Sequence, residues 1–130
     1  MIKETARETI IALGLVPEEN VMIDVLDPDW NGTPEIRITS EPTKAEDETQ
    51  AGAITAETLM GIHSIAGSRQ EAWDLMRQAA LVVYKKFEAL EQQRGSGILA
   101  ITLVEHNTSQ LPNNSTFHSY TIFRILTTNL

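Results

Sequence analysis

The fold is decided by residues 53–90, which read AITAETLMGIHSIAGSRQEAWDLMRQAALVVYKKFEAL. The first part, 53–65, is rich in β-branched residues and predicts a long strand. Ser68 and Glu71 then form an S-x-x-E capping box, which marks the start of a helix. The stretch therefore predicts a long strand that leads directly into one long helix over residues 66–90.

The predicted helix carries one apolar stripe. Its members recur at spacings of three and four: Ala72, Met76, Ala79, Val83, Phe87 and Leu90, widened by Leu75 and Val82. A stripe of this kind packs against a sheet or another helix. Gly95 and Gly97 predict the end of the helix, and the Gly-Ser-Gly segment reads as a helix-to-strand turn because a strand follows it.

Working outward, the remaining chain shows a second helix and further strands. Residues 2–13 place Ile2, Ala6, Ile10 and Leu13 on one stripe that Gly14 ends. Strand patterns follow in NVMIDVLD (20–27), PEIRITSE (34–41), ILAITLVEH (98–106) and FHSYTIFRILT (117–127). The order α-β-β-β-α-β-β predicts a single α+β domain over residues 1–130, with a mainly antiparallel sheet packed on one long helix.

Strand length suggests projecting hairpin loops. A strand of 13 residues over 53–65 extends about 43 Å, whereas a compact domain of this size is roughly 36 Å across. Part of the 35–65 hairpin must then project or bend, and Gly61 is the candidate for a bulge or bend. The polar stretch EPTKAEDETQAG (41–52) reads as its exposed tip. Projecting strands have unpaired edges, which a neighbouring subunit would cover.

The composition excludes several classes of function. The net charge is −8, divided as −9 over residues 1–60 and +1 over 61–130, so a nucleic-acid grip by clustered cations is disfavoured. The chain has no cysteine, which excludes disulfides and thiolate chemistry and fits a reducing cytoplasm. No apolar run is long enough to span a membrane, and the first residues lack the apolar segment of a signal peptide.

One short motif resembles half of a calcium loop. In DPDWNG, Asp27, Asp29, Asn31 and Gly32 match the pattern D-x-[DN]-x-[DN]-G. Ile38 stands where the twelfth loop position needs a carboxylate, and the flanks read as strands. A plain β-turn is therefore favoured, and the three oxygen-bearing residues are only weak metal candidates.

No arrangement of residues indicates catalysis. The chain has three histidines, His63, His106 and His118, and none has helical spacing to another metal-ligating residue. His63 and His118 lie in different predicted strands and can meet in space, although packed sheet residues are the default. No G-x-S-x-G motif marks a nucleophile. The sequence predicts a protein that is not an enzyme and needs no cofactor or metal.

The predicted contact residues are charged, polar or aromatic groups in loops and on the long helix. The hairpin tip contributes Glu46, Asp47 and Glu48, the loop before the last strand contributes Asn113 and Asn114, and the inter-subunit candidates are Arg69, Arg77 and Trp30. Trp73 beside the helix stripe is more consistent with the core. Arg69 and Arg77 could form ion pairs with a neighbouring subunit, although a solvated helix surface is the favoured interpretation of both.

The order of these features resembles the tail terminator, or tail-completion, proteins of long-tailed bacteriophages. The resemblance is carried by PEIRIT after Pro34, the polar hairpin EPTKAEDETQAG, a long strand that runs into GSRQEAWDLMRQAALVVYKKFEAL, and the closing strands GILAITLVEHNTSQ and TFHSYTIFRILTT with Arg124 late in the last. With the N-terminal helix it covers nearly the whole chain. The family often has a tryptophan in the strand before the long helix, where this chain has His63 and Ile65.

The resemblance implies a structural role in the virion. Proteins of this family form a six-membered ring at the head-proximal end of the tail tube, end tube polymerisation, and join the tail to the neck of the capsid. DNA passes through the ring as cargo. The implied partners are further copies of the chain, the tail tube protein and a neck or head-completion protein, with assembly in the bacterial cytoplasm and no membrane contact. The alternatives are another neck adaptor of related fold, a small calcium- or ligand-binding module, and an uncharacterised enzyme.

Overall fold

The structure, a computed structural model, describes residues 2–24, 33–48, 54–110 and 116–129. Its elements are α1 (Ile2–Leu13), β1 (Val21–Ile23), β2 (Glu35–Glu48), β3 (Ile54–Ala66), α2 (Arg69–Gln92), β4 (Ile98–Gln110) and β5 (Phe117–Asn129). A short 3-10 turn, Glu18–Asn20, precedes β1. The predicted α+β class and the element order agree with this arrangement.

The described strands form one five-stranded sheet in the order β1-β2-β3-β5-β4. The short β1 lies parallel to β2, and the other neighbours are antiparallel, so the sheet is mixed. The long strands β4 and β5 pair from Ile98 to Gln110 along their length. Most of the sheet is therefore antiparallel, as the sequence predicts, with a parallel strand added at one edge.

Two helices share the covered face of the sheet. The longer helix, α2, lies over β3, β4 and β5, while α1 packs against α2, β1 and β2. The prediction that one long helix packs on the sheet is therefore incomplete. The reason is that α1 buries Ala6 and Ile10 against the same core, which extends the helical layer to the β1 edge.

The core lies between this helical layer and the sheet. Its largest fully buried side chains include Phe87, Met76 and Val83 from α2 and Ile36, Ile38, Met60, Ile62 and Ile125 from the strands. The inward stripe of α2 that the sequence predicts is buried from Ala72 to Phe87. The Ser68 hydroxyl accepts a hydrogen bond from the Glu71 amide at 3.1 Å, as the capping box predicts. The helix-to-strand turn is also confirmed, with φ values of 85° and 81° at Gly95 and Gly97.

Three local predictions differ from the structure. The stretch predicted as a hairpin tip from residue 41 is strand as far as Glu48, because it pairs with β3 through two register irregularities near Pro42 and Ala45. Cross-strand pairing overrides polar composition here, and proline is tolerated at an irregularity of an edge strand. Likewise, β4 continues to Gln110 rather than ending at 106. Leu13 is 42% exposed at the end of α1 instead of joining its buried stripe.

Gly61 is not a bulge. Its pairing is regular with Thr39 in β2 and with Ile122 in β5. A Cβ atom added at Gly61 would lie 2.5 Å from His63 Nε2 and 2.7 Å from Thr39 Oγ1. The glycine is needed because these two side chains meet above its backbone, and not because the strand bends there.

Candidate functional site

A groove runs between α2 and β4 at one edge of the covered face. It has a volume of about 450 Å³ and is lined mainly by apolar side chains: Trp73, Met76, Ala80, Leu81, Tyr84, Leu103 and Phe123, with Arg77, His106 and Thr121. Two of the lining residues are exposed leucines: Leu81 is 49% exposed and Leu103 is 50% exposed. The groove is open to solvent because α2 packs on β3, β5 and β4, and β4 is the last strand of the sheet, so no described strand continues the sheet beyond it.

Exposed apolar side chains concentrate at this edge. Among the residues whose side chains the structure describes, the large hydrophobic ones that are more than 40% exposed are Leu13, Leu81, Leu99, Leu103 and Val104, and three of these five belong to β4. No described strand pairs with the outer side of β4, which is 13 residues long. A long apolar edge strand attracts pairing with other chains, and monomers usually protect such edges.

The opposite edge of the sheet has a complementary free segment. Among the described residues, β1 pairs with β2 only over Ile36–Ile38, so the outer side of β2 beyond that point has no described strand beside it. The register places Ser40 level with Leu103, through Met60 and Phe123. The two free edges therefore lie at the same height on opposite sides of one sheet.

A polar cluster occupies the sheet face that the helices do not cover. His63 Nδ1 and His118 Nε2 are 2.8 Å apart, and His63 Nε2 is 3.0 Å from Thr39 Oγ1. The two imidazoles are stacked, with centroids 5.1 Å apart, and Tyr120 lies beside both rings. The prediction that the two histidines can meet is confirmed, because β3 and β5 are direct neighbours and both side chains point to the open face.

The surroundings of the histidine pair favour its neutral form. Burial, then the proximity of His118 and of Arg37, lowers the pKa of His63 to about 4. Burial and Arg37 also lower the pKa of His118. Each neutral imidazole has one N–H donor and one acceptor nitrogen. One ring can therefore donate to the other across the 2.8 Å contact, and the hydrogen bond forms without either ring being charged.

Acid is expected to destabilise the fold through this pair. An unfolded histidine has a pKa near 6.5, so from about pH 6.5 down to about pH 4 the unfolded chain binds a proton that folded His63 does not. The free energy of unfolding should fall over that window by about 1–3 kcal/mol, a range reduced because the ring is partly exposed. Urea unfolding at pH 7.5 and pH 4.5 measures this loss.

Histidine-to-glutamine variants separate the effect of the His63–His118 pair from the titration of other acidic and basic groups. We expect the double variant His63→Gln, His118→Gln to lose less stability between the two pH values than the wild type. The control His106→Gln changes an exposed histidine that packs on Trp73 instead. It should keep the wild-type loss, and equal losses in all three proteins would contradict the prediction.

Ion pairs surround the histidines on the same face. Arg37 pairs with Glu35, which is only 3% exposed, and Arg124 Nε donates to Glu57 at 3.1 Å. Tyr120 donates its hydroxyl proton to Glu105, which raises the pKa of Tyr120. The charged side chains of the open face are thus paired with one another. Within the described residues, no cluster of three or more His, Asp or Glu side chains could hold a metal ion.

The sequence-predicted contact residues fall into two groups. Arg69 and Arg77 both lie on the flank of α2 that faces β4: Arg77 lines the groove, and the Arg69 guanidinium stacks on the Phe117 ring at 5.4 Å. Trp73, expected in the core, packs against it and also lines the groove. Asp27, Asp29, Trp30, Asn31, Asn113 and Asn114 lie outside the described residues, and for Glu46, Asp47 and Glu48 the structure describes the backbone of β2.

The exposure of the β4 residues is not predicted by the sequence. Leu99, Leu103 and Val104 belong to a run that reads as an ordinary sheet strand. The signal that could have found them is the absence of a clean polar alternation in ILAITLVEH, which is unusual for a strand at the edge of a sheet.

No protein-family model and no curated protein sequence matches the chain. A solved structure, titled as the virion of a native gene transfer agent (GTA) particle, contains a chain of similar fold. The two chains share 14% sequence identity, with a TM-score of 0.52, and the match covers 92% of this chain and 84% of that one. The likeness therefore extends over nearly the whole fold. Within the described part of the chain, neither helix is long and apolar enough to cross a bilayer.

Proposed function

We propose that the chain is a structural protein of a phage-like virion, and that copies of it form a ring at the head-proximal end of the tail tube. The observation that carries the proposal is the shared fold with a chain of the gene transfer agent virion, over 92% of this chain. The ring ends tube polymerisation and joins the tail to the capsid neck, and DNA passes through its centre.

The sheet edges support assembly into a ring. A contact between two different surfaces of identical subunits is heterologous, and it closes into a ring when the rotation between neighbours closes. The free part of β2 and the lower half of β4, Ile98–Leu103, are two such surfaces at the same height. In copies with one orientation they run antiparallel, because β2 and β4 have opposite directions within the sheet. Pairing them would continue the sheet from subunit to subunit.

A bulge in β4 fits this arrangement. The register between β4 and β5 shifts between Leu103 and Glu105, and Glu105 is level with Thr39. The bulge thus separates the part of β4 that is level with free β2 from the part that is level with β1. Because bulges bend and twist a strand locally, the upper part of β4 can turn aside where a neighbour's β1 would stand.

Electron microscopy of mixtures with tail tubes tests the function. Purified wild-type chain, added to tail tubes assembled from the tube protein of the same phage, should appear as a ring at one end of each tube and stop further growth. Binding along the tube wall, or no binding at either end, would contradict tail termination. Binding to isolated capsid necks but not to tubes would favour the neck adaptor, because a fold shared with a virion chain is compatible with either role.

The acidic end of the 35–65 hairpin is proposed to contact the tube or the neck. Replacing Glu46, Asp47 and Glu48 with lysine reverses its charge, and we expect tail joining to fall at least tenfold while the ring still forms. The exchange Glu46→Asp, Asp47→Glu, Glu48→Asp keeps the charge and should join tails normally. Joining is measured as the fraction of capsids that carry tails. Normal joining by the lysine variant would show that this segment has no electrostatic role.

A further inference from the structure

The α2–β4 groove has a basic flank. Arg69 and Arg77 are exposed and lie eight residues apart, which places them on one side of α2. Arg77 makes no hydrogen bond or ion pair with the described residues, and Arg69 donates only a long hydrogen bond of 3.5 Å to the Thr108 carbonyl. Glu71 and Asp74, the acids of the same helical turns, line a different pocket. An apolar groove with exposed cations beside it suits an acidic amphipathic partner.

The opposite edge of the molecule presents an acidic helix. Glu4, Glu8 and Ala12 are exposed at intervals of four residues along α1. The basic residues of α1 are engaged internally, since Arg7 Nε donates to the Val21 carbonyl at 2.9 Å and Lys3 pairs with Asp24. The exposed residues of α1 thus include two acids, and the flank of α2 beside the groove carries two arginines.

The two flanks lie on the same face of the sheet. Helix α1 lies over β1 and β2 at one edge, and the groove lies over β5 and β4 at the other. When copies join edge to edge in one orientation, α1 of one copy comes beside the groove of the next. Two copies that met through the same patch would instead set Arg77 against its own counterpart, which costs affinity through like-charge repulsion.

We propose that the α2–β4 groove is the docking site for α1 of a second copy of this chain, with Glu8 facing Arg77. The inference deepens the proposed ring and rests on it, because it names the surface through which neighbouring copies join. The exposed side chains of Leu81 and Leu103 would be buried in this contact, and the charges determine which two surfaces pair.

A charge exchange between two variants tests the docking. Two acids meet at positions 8 and 77 when copies of Arg77→Glu join, and two bases meet there when copies of Glu8→Arg join, so each variant should self-associate at least tenfold more weakly than the wild type. Mixed in equal amounts, they should recover wild-type association, because every contact in an alternating assembly then joins opposite charges. Sedimentation velocity at low salt measures all three, and Lys86→Glu, an exposed site on α2 outside the groove, is the control and should associate normally.

The outcomes separate this inference from the proposed function. Wild-type association by Arg77→Glu, no recovery in the mixture, or a wild type that stays monomeric up to about 1 mM would each overturn the groove as the docking site. If the wild type caps tubes and Arg77→Glu caps them equally well, the function stands and the docking surface is wrong. If the charge exchange behaves as expected but no ring appears on tubes, the docking stands and the function is wrong.

Discussion

Phe87→Ala is expected to lower the free energy of unfolding by about 3–5 kcal/mol, a large share of the stability of a domain of this size. Phe87 is the largest of the fully buried side chains and is 1% exposed. It belongs to the inward stripe of α2, so its removal leaves a cavity between the helix and the sheet that the surrounding strands can only partly close.

The measurement is chemical unfolding followed by tryptophan fluorescence, because Trp73 packs against the same core. Glu88→Ala changes the next residue, which is exposed, and should shift stability by no more than about 0.5 kcal/mol. A loss below about 1 kcal/mol for Phe87→Ala would show that α2 does not dock on the sheet as described.

The burial of this side of α2 is predictable because the spacing of apolar residues in a helix shows which face is buried. The spacing from Ala72 to Phe87 repeats with the period of the helix, and the structure buries those residues. The capping residue Ser68 was equally readable, since its hydrogen bond to Glu71 is local in sequence. Local interactions of this kind need no knowledge of the rest of the fold.

The edges of the sheet were not predictable in the same way. The polar composition after Glu41 indicated a loop, but β3 pairs with it as far as Glu48. Strand pairing depends on residues that are distant in sequence. The residues of one strand therefore do not determine whether that strand lies in the centre or at the edge of a sheet. For the same reason the sequence does not predict the exposure of Leu103, which follows from the position of β4 at the edge of the sheet.

The histidine pair lies between these two cases. The strand assignments allowed His63 and His118 to meet, but only the antiparallel register of β3 and β5 brings their ring nitrogens to 2.8 Å. The sequence predicts a backbone bend at Gly61, whereas the glycine leaves space for the side chains of His63 and Thr39. Sequence spacing identified the residues, and tertiary pairing determined what they do.

Replacing Leu99 and Leu103 with lysine is expected to abolish assembly while leaving the subunit folded. Both leucines lie on the edge strand β4, whose outer side has no described partner, and are 41% and 50% exposed, so the subunit loses little burial when they change. In the proposed ring, the same positions would be covered by the next copy. Lysine at an edge strand opposes pairing with another chain, since the contact would then bury two charges, and we expect at least a hundredfold weaker self-association.

Light scattering of the purified variant measures its oligomeric state, and thermal unfolding of the dilute protein checks its fold. The control variant, Ala89→Lys with Gln92→Lys, adds the same charge at exposed positions of α2 that do not line the groove. It should assemble and cap tubes as the wild type does. If the β4 variant also assembled normally, this edge would not join neighbouring subunits, and an exposed strand of 13 residues would need a different partner. If both variants failed to assemble, added positive charge alone would be the cause, which would contradict a specific role for β4.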